Sequence, residues 1–250
     1  MIKKYCYFFA LGLVSPSIFA NSFTDSFAGT PKINATIYVF AADINGTLHD
    51  QNIKYNVDQS FNETLKHLDQ AYMTYIDINK GDWGIYFDKQ LVKTSTAEQV
   101  FNVPLAIKTK LDQSSYGVYY QAYKSPNKLQ NQYSSLIIEP TIGIHHTEAN
   151  ATLAALGNTK QAEIHWNEFF WGTRLRSNFD SPWNLASQVT IGVKDTIAAH
   201  FYVGYRIPGF NRDFNLRVGY RYLKQDYESN GFHWKISERG PVIGINLPIF

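Results

Sequence analysis

Thiols are all but missing: Cys6 is the only cysteine in 250 residues. It lies in an amino-terminal apolar run, too early and with the wrong neighbours for a lipoprotein acylation site. No disulfide framework can hold this chain, so it relies on a core, a metal or a closed hydrogen-bond network. Long apolar runs are equally scarce. Past the amino terminus no stretch reaches the roughly 18 unbroken apolar residues that a spanning helix needs. With a mean hydropathy of −0.28, a helical membrane protein is excluded. Neither sign of charge is in excess. The formal net charge of +2 belongs to Lys3 and Lys4 alone, which argues against a nucleic-acid partner.

Those two lysines precede an apolar run at 5–14 and a small-residue exit at 15–20, the build of a secretory signal peptide. Pro16 breaks the run far short of the roughly 20 residues of an uncleaved membrane helix. The expectation is cleavage after Ala20, although Ile18 at the −3 position is less usual than Ala. Residues 21–250 then form a single β-barrel domain, free of cysteine and formally neutral.

What the chain has is alternation and aromatic rings. Phe214-Asn215-Leu216-Arg217-Val218-Gly219-Tyr220-Arg221-Tyr222 puts apolar and polar side chains on opposite faces of a strand, and aromatics make up 16% of the residues. Tyr and Trp suit the membrane–water boundary, where an apolar ring and a polar tip are both satisfied. A soluble β-sandwich would share the alternation, but not so readily the girdle. Ten segments alternate, at 33–41, 71–80, 83–94, 103–123, 136–146, 164–179, 183–194, 197–207, 214–227 and 232–250. The predicted fold class is all-β: a closed antiparallel transmembrane barrel of about ten strands, with eight or twelve as alternatives, located in a bacterial outer membrane. In lipid an open sheet edge leaves unpaired N–H and C=O groups, so the strands must close on themselves.

Connection lengths set the orientation. Short links at 80–82, 180–182 and 208–213 fall on the periplasmic side, and longer ones at 42–70, 95–102 and 147–163 fall outside. The link at 124–135 is long for a periplasmic turn. Parity then sorts the side chains. Ile37, Val39, Tyr72, Ile76, Ile78, Trp83, Ile85, Phe87, Val103, Leu105, Ile107, Leu136, Ile138, Ile142, Ile144, Val189, Ile191, Val193, Val203 and Tyr205 are expected to face lipid. Asp77, Asp88, Glu139, Arg174, Arg176, Arg206, Arg217 and Arg221 are the candidates for lining the lumen, with His145, His200 and several glycines on the same face. In the fourth strand the apolar parity slips between Asp112 and Ser115, and a bulge there would account for it.

The first long connection carries two local signals. Asn45-Gly46 is the strongest two-residue hairpin cue. Ser60-Phe61-Asn62-Glu63 is a capping box, predicting a helix of about two and a half turns that ends near Leu68. Phe61, Thr64, Leu65 and Leu68 share one face of it. The expectation is a cap over the barrel mouth, with a short solvated loop helix as the alternative.

Asp43-Ile44-Asn45-Gly46-Thr47, the run from Ser60 to Asp69, Lys80-Gly81-Asp82-Trp83-Gly84 and Arg217-Val218-Gly219-Tyr220-Arg221-Tyr222-Leu223 followed by Gly240-Pro241 resemble a family. It is a group of uncharacterised proteobacterial outer-membrane β-barrel proteins, in the style of the OmpA and OmpW barrels. The likeness covers roughly residues 33–94 and 164–250. It implies a fold and an address, and no chemistry.

Catalysis was weighed on the residues. His233 and Ser237 lie four apart, which on a strand separates them by about 13 Å, too far for a nucleophile and its base. No His-x-Ser occurs. His145, His146, Glu148, Glu163 and His165 concentrate near one loop, where they could suit a barrel protease or a divalent metal, or simply be a solvated loop. No catalytic residue, metal ligand or cofactor is assigned. The inner arginines against Asp77, Asp88 and Glu139 could line an anion-attracting pore or interlock and fill the lumen. The resulting function is non-enzymatic: a structural envelope component or a narrow, gated passage for small solutes. The alternatives are an outer-membrane enzyme acting on lipid A, phospholipid or peptides, and surface binding or adhesion through the 147–163 loop. Expected partners are outer-membrane lipid and lipopolysaccharide, with the barrel-assembly machinery during biogenesis, for a monomer. The terminal aromatic, Phe250, is out of phase with Ile243, Ile245, Leu247 and Ile249, which makes it a weak assembly signal.

Overall fold

The structure, a computed structural model, describes residues 29–50, 53–100, 103–125, 136–156, 158–208, 213–229 and 231–249. The expected leader at 1–20, most of the 124–135 connection and Phe250 lie outside them. In chain order the elements are β1 (Lys32–Phe40), β2 (Asp43–Asp50), β3 (Ile53–Gln59), α1 (Phe61–Lys66), β4 (Leu68–Lys80), β5 (Trp83–Val100) and β6 (Val103–Tyr120). Then follow β7 (Tyr123–Lys124), β8 (Leu136–Ala155), β9 (Asn158–Asn178), β10 (Trp183–Gly192), β11 (Ile197–Ile207), β12 (Phe214–Ser229) and β13 (Phe232–Pro248).

Ten of these strands form a closed antiparallel ring in the order β1-β4-β5-β6-β8-β9-β10-β11-β12-β13, with β13 pairing back onto β1 from Asn34↔Pro248 to Phe40↔Val242. Closure leaves no sheet edge within the ring, the condition for strands to cross hydrocarbon. The outer face carries exposed Ile37, Ile85, Ile142, Val189, Val218 and Ile243. Aromatic pairs sit on this face: Trp83–Tyr120 and Trp183–Tyr205 near the turn end, with ring centroids 5.0 and 4.9 Å apart, and Phe87–Tyr116 at 5.0 Å further along the strands. Trp83 and Phe87 are four residues apart along β5, about 13 Å, and so the pairs mark two levels within the apolar band, whose full height in such a barrel is about 25 Å.

The strands do not stop at the end of this band. β5 and β6 stay paired to Val100↔Val103, and β8 and β9 to Ala155↔Asn158, so the segments expected as loops at 95–102 and 147–163 are mostly ladder. Continued pairing satisfies backbone groups that an irregular loop would have to hand to water. The expected bulge between Asp112 and Ser115 is absent, because the β5–β6 and β6–β8 registers run unbroken through it. What changes there is the environment. In the band Tyr116 and Val118 face outward and are exposed, whereas beyond it the same parity carries Lys110 and Asp112. The apolar set crosses to the inner face, where Leu111 packs, and Ile107 shares that inner parity rather than facing lipid. The side chains of Val103 and Leu105 lie outside the described residues.

Inside the extended end the strands pack on each other as a soluble sandwich would. Trp166, Trp234 and Ile236 form a buried cluster with Leu111, Ile164, Tyr227, Leu48 and Val57 around it, and the Trp166 and Tyr227 rings stack at 4.6 Å. β2 and β3 complete this wall. β2 continues along β13 where β1 leaves it, from Asp43↔Arg239 to Asp50↔Phe232. Asn45-Gly46 is therefore mid-strand and not a hairpin turn, and β2 pairs with β3 from Ile44↔Gln59 to Asp50↔Ile53. Glycine is needed at 46 for close approach, since a Cβ would sit 2.0 Å from the Lys235 carbonyl oxygen.

The capping box is formed: the Glu63 amide donates to Ser60 Oγ at 3.3 Å and the Ser60 amide to Glu63 Oε2 at 3.0 Å. The helix is shorter than the sequence suggests, because the His67 carbonyl already accepts from the Ser95 amide (2.9 Å) and the chain joins β4. Phe61, Leu65 and Leu68 border a cavity of about 110 Å³ with Phe40, Met73, Val92 and Leu111, and α1 lies between β3 and β4 at the level of Ile44 and Thr94, with the paired strands running on beyond it rather than ending under a cap. Truncating Trp234 to alanine removes a well-packed ring and is expected to cost about 3–5 kcal/mol of local stability. Limited proteolysis should then cut the extended hairpins faster while the apolar band stays protected.

Candidate functional site

Alternation delivers a set of polar side chains to the inner face of the band, and the register decides which of them meet. Glu139 on β8 stands directly opposite Arg174 on β9. Arg174 Nη2 donates to Asp77 Oδ2 across the lumen at 2.8 Å, and its Nε lies 3.4 Å from Glu139 Oε2. Arg176 pairs with the other oxygen of Glu139. The Arg174 guanidinium also covers the Tyr119 ring, 3.9 Å from its centroid, while Tyr119 donates to Asp77 Oδ1 at 3.0 Å. Glu139 is fully buried and receives a third contact, from Gln121 Nε2 at 3.1 Å. Together these side chains form a knot across the barrel.

A second crosslink lies nearer the extended end. Arg221 Nη2 donates to Asp88 Oδ2 at 2.7 Å, and Tyr38 donates to Asp88 Oδ1 at 2.5 Å. Above it, Gln113 donates to Glu238 Oε1 at 2.6 Å and Gln225 to Thr147 Oγ1 at 2.8 Å. Charge-assisted bonds of this kind are the strong ones, and inside a barrel they also keep each ion from standing bare in a low-dielectric site. Room for the long side chains comes from inner-face glycines. A Cβ on Gly84 would lie 2.1 Å from the Tyr119 ring, and one on Gly117 would lie 2.3 Å from the Tyr86 ring.

The structure thus brings Asp77, Asp88, Glu139, Arg174, Arg176 and Arg221 into contact with one another in two groups. Arg206 is apart from them, at the turn-end mouth, donating to Asn178 Oδ1 at 2.5 Å. Arg217 faces the lumen but reaches no carboxylate among the described residues. Tyr38, Tyr86, Tyr119, Gln113 and Gln188 belong to the network and were not singled out from sequence. For the tyrosines one signal existed, since Tyr86 and Tyr119 fall between outward residues and so have inward parity.

The axial space is broken into pieces. A vestibule of about 680 Å³ opens at the turn end, and a middle cavity of about 150 Å³ lies beyond Arg176 and Arg217. Past Asp88 and Arg221 a gap of about 30 Å³ follows, and then the cavity beside α1. One nucleophile–base geometry does occur. Ser115 and His145 are register partners on β6 and β8, with Oγ 2.7 Å from Nδ1. The two come together from neighbouring strands, thirty residues apart, and spacing along a single strand carries no sign of such a pair. Its cavity is the gap of about 30 Å³ beside Asp88 and Arg221.

The remaining sequence candidates are dispersed. His145 points inward, while His146, Glu148, Glu163 and His165 lie on the outer face of the extension, and no group of three or more metal-binding side chains occurs among the described residues. His146 is taken up by Asn167 (2.9 Å) and Glu148 by Lys110 (2.7 Å). His233 bonds Asp226 at 2.5 Å and Ser237 donates to the Asn45 carbonyl, so those two do not form a couple.

Closed ladder, apolar band and polar knot define a membrane-spanning β-barrel whose interior is crossed by ion pairs. No protein-family model matches the chain, and no curated protein matches it. Among solved structures it is similar to Ail, the attachment invasion locus protein of Yersinia pestis, in complex with the heparin analogue sucrose octasulfate. The identity is 10%, 87% of this chain and 98% of that one are covered, and the TM-score is 0.41. It is also similar to the Pseudomonas putida toluene transporter TodX, at 12% identity over 90% of this chain and 92% of that one, with a TM-score of 0.31.

Replacing Glu139 with glutamine leaves Arg174 and Arg176 short of a counter-charge in a buried site, and should cost about 3–5 kcal/mol. Urea unfolding in detergent, followed by tryptophan fluorescence, measures it. Outside the band the Lys110 ammonium holds the Glu148 carboxyl below its usual range through their hydrogen bond. Glu148 is therefore expected to stay charged as pH falls past the ordinary carboxylate value, and any stabilisation from this pair is lost only on passing through the lowered pKa. Carbon-detected NMR titration should show that midpoint rising in Lys110→Gln.

Proposed function

We propose that this chain is a non-enzymatic protein of a Gram-negative outer membrane whose lumen is closed, a structural component of the envelope. The turn end faces the periplasm and the extended hairpins project outside, in keeping with the short-turn, long-extension asymmetry of such barrels. Lipid surrounds the apolar band. Lipopolysaccharide headgroups meet the collar of Lys89, Asp112, Lys110 and Glu148 beyond the Phe87–Tyr116 pair.

The observation that carries this reading is a pair of blocks in series. The Arg174–Glu139–Arg176 and Arg221–Asp88 crosslinks span the polar interior, and the Trp166–Trp234–Ile236 cluster fills the extended end above them. The small gap beside the Ser115–His145 couple supports the non-enzymatic reading. A gated passage is the second reading, favoured by the way successive cavities share the walls at Arg176, Arg217, Asp88 and Arg221.

Planar-bilayer recording separates the two. For blocks in series, wild type shows no sustained single-channel steps. Asp88→Ala with Arg221→Ala stays closed because the aromatic plug and the Arg174–Glu139 crosslink remain, and conductance appears only when Trp166→Ala, Trp234→Ala and the paired Glu139→Ala and Arg174→Ala are added. Steady steps from wild type, or from the Asp88/Arg221 variant alone, would count for the passage and against the closed barrel.

A further inference from the structure

The middle cavity does not balance its charges. Arg174, Arg176, Arg217 and Arg221 project into one space, and the carboxylates that answer them are Asp77, Asp88 and Glu139. Four guanidinium groups against three carboxylates leave one positive charge over. The geometry assigns it to one residue, because every other arginine of the group has a carboxylate within ion-pair distance and Arg217 has none among the described residues. Its Nε is sealed from solvent with no hydrogen-bond partner. An isolated cation in such a site is costly unless something of opposite charge comes to it.

The surroundings of Arg217 are open on the side from which an anion would come. Its neighbours across both ladders are glycines, Gly204 on β11 and Gly244 on β13, so no side chain flanks the guanidinium in the plane of the wall. Arg217 borders both the middle cavity and the 680 Å³ vestibule. Lys32, Lys124, Arg176 and Arg206 also line the vestibule, where Lys124 is paired with Asp82 and Arg176 with Glu139, and Asp213 is an acid among the described lining residues. Asn184 and Asn215, which bond each other through both amides at 3.2 and 2.9 Å, stand beside the entrance to Arg217. An open, polar funnel ending at a fork-shaped donor with no carboxylate partner among the described residues is the chemistry that captures a tetrahedral oxyanion.

We propose that the turn-end vestibule is a binding site for a small free oxyanion of the phosphate or sulfate class, anchored by Arg217. The closed wall keeps a lipid headgroup out unless it rounds the rim, which commits the site to a soluble ion. The site is independent of whether the barrel conducts.

The test uses the full chain refolded in nanodiscs of zwitterionic lipid, with inorganic phosphate as the probe and chloride of matched ionic strength as the control. Phosphate should bind saturably by calorimetry and broaden its own ³¹P resonance. Arg217→Gln should weaken it at least about ten-fold, the loss of a charge-assisted bond, and Arg217→Lys should recover part of it. Arg217→Gln removes a buried uncompensated charge, so it should fold, as judged by circular dichroism and the heat-dependent gel shift. Should it not, the wild-type ³¹P broadening and its competition by sulfate decide the matter. The proposal is overturned if phosphate does no more than chloride to wild type, if Arg217→Gln binds as wild type does, or if the response requires anionic lipid in the nanodisc.

Discussion

Everything in this molecule follows from the hydrogen bonds between β13 and β1. A ladder that meets hydrocarbon has no water to fall back on, so the last strand must find the first. Once the ring is shut, two-residue periodicity is no longer a preference but a partition, with one face to lipid and the other to a narrow interior. The apolar members pay for the band, and the polar members have nowhere to go but inward.

That confinement turns the interior into an electrostatic problem. Ten strands enclose too little space for bulk water to solvate several ions, so each ion needs a partner delivered by the register. Glu139 meets Arg174 because β8 and β9 place them opposite, and Asp77 meets the same guanidinium from across the barrel. Glycines at 84 and 117 open the space into which the tyrosine rings lean. The result is a braced interior crossed by ion pairs, with Arg217 at its lower edge.

Beyond the band the same strands obey the opposite rule. With water outside, the apolar face turns inward and the wall becomes that of a soluble sandwich, closed over Trp166 and Trp234. β6 makes the change without any break in pairing. A parity slip in a sequence therefore has two physical causes, a bulge that rotates the chain or a change of solvent around a chain that does not rotate.

How much was legible follows from the range of each interaction. The sequence by itself determined the ring strands, the faces of most of their residues and the capping box of α1, because alternation and caps are read within a few neighbouring residues. It also marked out the charged side chains that face the lumen. It misread Asn45-Gly46 as a turn, since the close passage of the Lys235 carbonyl that requires glycine there comes from a strand almost two hundred residues away. Only the tertiary structure decided that Ser115 meets His145, that the metal-like set of His145, His146, Glu148, Glu163 and His165 is split between two faces, and that three of the four central arginines are paired. These are facts of register and of distance across the lumen, and a single strand's pattern carries no record of what its neighbours place opposite it.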